Sequence, residues 1–170
     1  MKEDEHSRLK TYALRLLSRK LRTTFEIEVK LRLYCIRSKM PLAFFPPVVR
    51  ELTELGLLND LKYAEAWIIE RRKSKYRGDF VIVRELGNKG ITKDIIDSAF
   101  TLTQKGEDYS ENDAAVALLN KKFRLYKNLP KLEAKQKLTD LLFRYGFTYD
   151  DANRLVDSII KREYNSESRN

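Results

Sequence analysis

Apolar residues recur at steps of three and four along almost the whole chain, alternation at step two is absent, and Gly and Pro are scarce. That spacing predicts an all-α protein in which each helix turns one stripe inward. An internal similarity runs through it. Ala13, Leu16, Leu17 and Leu21 share one face of a first helix. Tyr63, Ala66, Trp67 and Ile69 do so in a second, and Ala114, Ala115, Leu118, Leu119 and Phe123 in a third. In such a stripe the small residues admit a neighbouring helix closely and the larger ones fill the seam.

Each of these helices is followed by another. Thr23 and Glu26 have capping-box spacing ahead of Phe25, Val29 and Leu33. Asp79 stands where it can cap a helix carrying Phe80, Ile82, Val83 and Leu86, and Pro130 suits the first turn of one carrying Leu132, Leu138, Leu141 and Leu142. Two of these helices end alike, in Asn88-Lys89-Gly90-Ile91 and Arg144-Tyr145-Gly146-Phe147. A left-handed glycine stops the helix and the apolar residue after it packs back on the last turn. Thr92 and Thr148 then stand ready to cap third helices, with the stripes Ile95, Ile96, Ala99, Phe100 and Leu155, Val156, Ile159, Ile160. In the first repeat Cys35-Ile36 takes the place of the glycine pair. The stretch Arg37 to Phe45 reads as inserted, and Pro46-Pro47 restarts a helix with Val48, Val49, Leu52 and Leu55 that ends at Gly56-Leu57.

The architecture expected is three tandem three-helix repeats forming an elongated, curved molecule. The repeats are 1–57 (with the inserted segment 37–45), 58–105 and 106–164, with a polar linker from Thr101 to Tyr109 and a disordered tail at 165–170.

Charge adds a partner to this picture. Lys and Arg total 34 against 25 Asp and Glu, for a net +9, an excess that points to a polyanion, nucleic acid before membrane. The cations are grouped. Arg19, Lys20 and Arg22 fall at the end of the first helix, joined by Lys30 and Arg32 on the second. Arg71, Arg72, Lys73, Lys75 and Arg77 surround Tyr76, and Lys121, Lys122, Arg124 and Lys127 interleave with Phe123 and Tyr126. The macrodipole accounts for a pair of cations at a helix end, so for Arg19–Arg22 both readings stand. Five cations in the seven positions 71–77 exceed that explanation, because neighbouring like charges repel. Phe123 reads as core, while Tyr76 and Tyr126 fit either core or a stacking platform. The third helices open with acids, Asp94 and Asp150-Asp151. These suit a helix start but repel phosphates, so any DNA contact is expected to be weak, sequence-tolerant and made mostly to phosphate, with little base readout.

Several classes of chemistry drop out. His6 is the only histidine and falls in a terminus expected to fray, so neither a zinc site nor a Ser–His or Cys–His pair is expected. There is no phosphate-binding glycine loop or dinucleotide fingerprint. Cys35, the lone cysteine, reads as core filler. No catalytic residue, metal or cofactor is expected. A lone thiol suits a reducing compartment, the N-terminus lacks the pattern of a signal peptide, and the longest apolar stretch, Pro41 to Val49, is far short of the roughly 20 residues of a membrane span. A cytoplasmic protein with no membrane partner is expected, working as a monomer.

Four motifs lie in one order along nearly the whole chain: Ala13-Leu14-Arg15-Leu16-Leu17-Ser18-Arg19-Lys20-Leu21-Arg22-Thr23; Glu54-Leu55-Gly56-Leu57-Leu58-Asn59-Asp60 running on to Tyr63-Ala64-Glu65-Ala66-Trp67; Arg84-Glu85-Leu86-Gly87-Asn88-Lys89-Gly90-Ile91; and Arg144-Tyr145-Gly146-Phe147. Each is modest alone. As an ordered set they resemble the RecX regulatory family, and the 37–45 segment is a departure from it. The resemblance implies three tandem trihelical repeats, binding in the groove of the RecA–DNA filament, inhibition of the ATPase, recombinase and co-protease activities of RecA, and no catalysis of its own. The rival reading is a helix-turn-helix-like DNA-binding regulator of transcription unconnected with RecA.

Overall fold

The structure, a computed structural model, describes residues 2–105 and 109–167. They form α1 (Lys2–Leu17), α2 (Thr24–Arg37), a single 3-10 turn (Leu42–Phe44), α3 (Phe45–Glu54), α4 (Asp60–Lys75), α5 (Asp79–Asn88), α6 (Lys93–Lys105), α7 (Glu111–Phe123), α8 (Lys131–Tyr145) and α9 (Tyr149–Glu167). The architecture is a helical repeat built from successive three-helix groups, with no strand among the described residues. By contact the chain forms two compact units, Met1–Ala66 with Leu86–Phe100, and Trp67–Glu85 with Thr101–Asn170.

In the first unit the core joins Leu9 and Ala13 of α1, Ile27, Leu31 and Cys35 of α2, Met40, Val48, Val49 and Leu52 up to α3, and Leu58. The expected capping box is present. Thr23 Oγ1 accepts from the Glu26 N–H at 3.2 Å, and the Glu26 carboxylate accepts from the Thr23 N–H at 3.2 Å. The inward face of α2 is not the expected one, however. Phe25, Val29 and Leu33 are exposed, and Ile27, Leu31 and Cys35 are buried. Both stripes have step-four spacing, so periodicity alone does not choose between them. α1 stops at Leu17, which leaves Leu21 exposed, while Leu9, earlier on the helix, is buried in the core. His6 is part of α1, with Nε2 3.4 Å from Glu51 Oε2, rather than in a frayed end.

The glycine stops behave as the sequence suggests. Gly90 and Gly146 have φ of +79° and +98°. The Ile91 N–H reaches the Leu86 carbonyl and the Phe147 N–H the Leu142 carbonyl, both at 3.2 Å, and Ile91 and Phe147 are buried. The counterpart in α2 is Lys39-Met40, not Cys35-Ile36. Lys39 is left-handed, the Met40 N–H donates to the Cys35 carbonyl at 2.8 Å, and Met40 enters the core. The 37–45 segment therefore contains a helix end, this turn and the 3-10 turn, with Phe44 and Phe45 packed on the core.

The second unit centres on α7, α8 and α9. Ala114, Ala115, Leu118, Leu119 and Phe123 meet Leu138, Leu141, Leu142 and Phe147, then Ala152, Leu155, Val156, Ile159 and Ile160. Leu132, expected inside, is exposed. Along α4 the buried apolar residues are Tyr63, Ala64 and Ile68 rather than Ala66, and along α5 Val81, Ile82 and Leu86, with Phe80 and Val83 outside. Thr148 caps α9, its Oγ1 accepting from the Asp151 N–H at 3.2 Å. α7 has a capping box of its own between Ser110 and Asp113. Most of the expected linker is helical, since α6 continues to Lys105 with Thr103 buried. Residues 106–108 of that linker and 168–170 of the expected tail lie outside the described residues, and α9 runs to Glu167.

The capping box carries a pH dependence. Burial pushes the Glu26 carboxyl up, but the Lys89 ammonium (Nζ–Oε1 3.1 Å), the Thr23 N–H and the charge of Lys20 outweigh it and hold it below its ordinary value. A carboxylate lowered in the fold contributes stability that is present above its unfolded value, about 4.3, and is lost as pH falls through the folded value. Glu26→Gln is expected to cost about 1 kcal/mol at neutral pH and to flatten the acid limb of a urea-denaturation series. An unchanged acid limb would remove Glu26 from this role.

Candidate functional site

The three cationic clusters meet different fates. α1 ends before the first of them, so Arg19, Lys20 and Arg22 lie in the connection to α2 rather than on a helix. Arg19 and Lys20 are exposed, while the half-buried Arg22 donates from Nε to the Leu16 carbonyl at 3.4 Å, covering a free acceptor of the last α1 turn. Lys30 is half-buried on α2, and the Arg32 guanidinium lies 5.8 Å from the Phe45 ring centre.

The second cluster divides. Arg72 is not a surface cation. It is 2% exposed, and its guanidinium forks onto Asp79, with Nη2 at 2.8 and 3.0 Å from the two carboxylate oxygens and Nε at 3.2 Å. Asp79 consequently gives its carboxylate to Arg72 instead of capping α5 as expected, and its own N–H donates to Glu111 Oε1 at 2.8 Å. Burial raises both acids above their ordinary values, against the pull of Arg72 on each. Arg71 is also engaged. Its Nε donates to Glu85 Oε2 at 2.6 Å and its Nη1 to Glu70 at 2.7 Å, while the guanidinium lies 3.9 Å over Trp67. Trp67 Nε1 donates to the same Glu85 oxygen at 2.9 Å. Lys73 and Lys75 remain exposed in the last turn of α4.

The ends of α4 and α7 come together. Tyr76 takes a left-handed conformation, φ +53°, and its ring receives Lys121 Nζ at 5.3 Å. Arg77 lies 5.1 Å from the Tyr145 ring, and the Gly78 N–H donates to the Tyr145 carbonyl at 2.9 Å. Parts of the second and third clusters are thus joined through Tyr76, which, like Tyr145, also packs on the core of this unit. Lys122 is half-buried, and Arg124 and Lys127 are exposed after α7. Sequence reading missed the ring–cation contacts, because Lys121 with Tyr76 and Arg77 with Tyr145 are distant along the chain. The tyrosines were the available signal.

The acids at the helix starts serve the helices. Arg154 bonds Asp151 at 2.7 Å and, with the Thr148 hydroxyl, holds that carboxyl low. Cys35 is fully buried, and burial pushes its thiol up, away from the reactive thiolate. Among the described residues no cluster of His, Cys, Asp and Glu has the arrangement to hold a metal, and no helix is long and apolar enough to cross a membrane.

A chain of successive three-helix groups with glycine-stopped second helices and cations at helix ends belongs to the class of tandem three-helix repeat proteins. Within it, the models of the second and third three-helix domains of RecX match residues 59–99 and 109–156. The regulatory protein RecX of Clostridium perfringens strain 13 is 33% identical over 168 residues, 96% of this chain and 74% of that protein. RecX of Bacillus subtilis strain 168 is 31% identical over 147 residues, 86% of this chain and 53% of that longer protein. The crystal structure of RecX from Lactobacillus salivarius superposes with a TM-score of 0.78 at 27% identity, covering 92% of this chain and 97% of that one. The chain belongs to the RecX family of regulatory proteins.

Proposed function

We propose that this chain binds the RecA–DNA filament in the cytoplasm and lowers the ATPase, recombinase and co-protease activity of RecA, acting as a monomer without catalysis of its own. The observation that carries this reading is the match to regulatory RecX proteins over nearly the whole chain. The exposed cations support it. Lys73 and Lys75 in the last turn of α4 and the Tyr76-bound Lys121 in the last turn of α7 present positive charge to a polyanionic surface, whereas Arg71 and Arg72 are spent inside the fold. Engaging several RecA subunits at once raises the effective concentration, so individually weak phosphate contacts suffice.

The test is RecA-dependent ATP hydrolysis on single-stranded DNA. Wild-type protein is expected to suppress it at physiological salt. The Lys73→Glu/Lys75→Glu/Lys121→Glu variant, altered at exposed positions only, is expected to need about tenfold more protein, because three phosphate-facing charges are reversed. A hydrolysis rate untouched by saturating wild-type protein rejects the function. Suppression by the triple variant at the wild-type concentration rejects the surface. On naked duplex, binding is expected to be weak, salt-sensitive and equal for random and selected sequences, where a transcription regulator would discriminate.

A further inference from the structure

A cleft in the second unit shares only Tyr126 with the clusters read from the sequence. It lies between the turn that follows α7 and the outer face of α8, and is lined by Tyr126, Lys137, Asp140, Phe143 and Arg144. Its volume of about 480 Å³ falls within the range of small-ligand clefts, ~300–1,000 Å³. We propose that this cleft is a single-stranded DNA subsite in which one unpaired base stacks against Phe143 and the flanking phosphates meet Lys137 and Arg144. The proposal rests on the reading above of a protein that works on DNA held in a filament.

Phe143 is the first reason. It is 62% exposed, on a helix whose opposite side supplies Leu138, Leu141 and Leu142 to the core. A single exposed apolar residue is ordinary. This one shares a cleft with a second ring and two cations, the combination that tracks a nucleic-acid backbone while offering its bases a flat face. Helical geometry is the second reason. Lys137, Asp140 and Arg144 are three and four residues apart and so share one face of α8. Their availability is the third. Among the described residues Arg144 makes no ion pair, and the only pair of Lys137 is an exposed 3.6 Å contact with Glu133, which costs little to exchange for a phosphate.

Asp140 decides which part of the nucleotide enters. A carboxylate repels phosphate, but it accepts a hydrogen bond from an exocyclic amine, as carboxylates do from cytosine N4. The cleft therefore takes the base and leaves the phosphates to its cationic rim. An intact duplex does not fit this arrangement, because a base stacked between its neighbours hides the face that Phe143 would meet.

The experiment uses the full chain without RecA, with fluorescein-labelled dC12 and a 12-residue abasic strand of the same charge as probes. Wild-type protein is expected to bind dC12 about tenfold more tightly than the abasic strand, the scale of one stacked base. Phe143→Ala, at an exposed position and checked for an unchanged melting curve, is expected to abolish that difference while keeping the affinity for the abasic strand. Equal wild-type affinity for the two strands, or a preference that survives Phe143→Ala, overturns the proposal. So does a Phe143→Ala variant that weakens suppression of RecA hydrolysis while binding dC12 as wild type does, since the cleft would then be a protein contact. Because the strand assay contains no RecA, its failure leaves the filament reading standing, and the hydrolysis assay judges that reading separately.

Discussion

Arg72→Met is expected to destabilise the second unit by about 3 kcal/mol, the low end for a broken buried pair, measured by urea denaturation, because it leaves the half-buried Asp79 carboxylate without its counter-ion. Such a loss is a large share of the ~5–15 kcal/mol that holds an ordinary domain folded. The fork of Arg72 on Asp79 is nearly sealed from solvent on the arginine side, and Asp79 in turn gives its N–H to Glu111. Burial already raises both acids, and Arg72 is the charge that restrains the rise. The sign of the pH effect follows. An acid raised in the fold holds its proton more tightly there than in the unfolded chain, so stability declines as pH climbs from the unfolded value through the folded one. Without Arg72 both folded values rise further and the declining window widens upward. The variant is therefore expected to regain stability as the pH is lowered from 7 toward about 5, whereas wild type changes less over that span. Arg72→Met/Asp79→Leu, which removes both charges, is expected to recover most of the loss at neutral pH. A single variant within 1 kcal/mol of wild type (well below the cost of ~3–5 for a broken buried pair) would mean that solvent reaches Asp79 freely.

Gly78→Ala is expected to produce the second large loss, at least ~2–3 kcal/mol by overpacking. A Cβ on Gly78 would stand 2.4 Å from the Gly146 carbonyl carbon and oxygen and 2.6 Å from the Phe147 nitrogen. All three are backbone atoms in the turn that closes α8, so no rotamer change relieves the clash. The same approach sets the bond from the Gly78 N–H to the Tyr145 carbonyl, and with it the place of Arg77 against Tyr145. Gly56→Ala is the control. Gly56 has a φ of +69° and nothing within 4 Å of its Cβ position, so only the conformational cost of about 1 kcal/mol applies. Equal denaturation midpoints for the two variants would show that the α4–α5 junction yields to admit the methyl group.

The surface residues used in the functional proposals also separate on this basis. Arg71 and Arg72 are adjacent to Lys73 in sequence and identical to it in sign, yet reversing either of them would disturb Glu85, Trp67 or Asp79. A loss of filament binding in such a variant would then report folding. Lys73 and Lys75, exposed in the last turn of α4, report contact, and Lys121 does so only with its place over Tyr76 taken into account by an unchanged melting curve.

Local rules were legible in the residues themselves. Step-three and step-four spacing set the helices. Thr23 with Glu26 and Thr148 set two helix starts, and Gly90-Ile91 and Gly146-Phe147 set two stops. These features depend on neighbours within a few positions, so the ordered set was enough to point to the family. Lys39-Met40 escaped because a lysine can fill the left-handed position when the residue after it has a core to enter. Tertiary structure alone decided which of two equivalent stripes of α2 faces inward, which arginines of one cluster are buried, and which tyrosines receive which cations. The physical reason is one of range. Caps and stops are closed by hydrogen bonds inside one turn, whereas burial and ion pairing depend on what a distant part of the chain brings alongside, as Asp79 does for Arg72 and Tyr76 for Lys121.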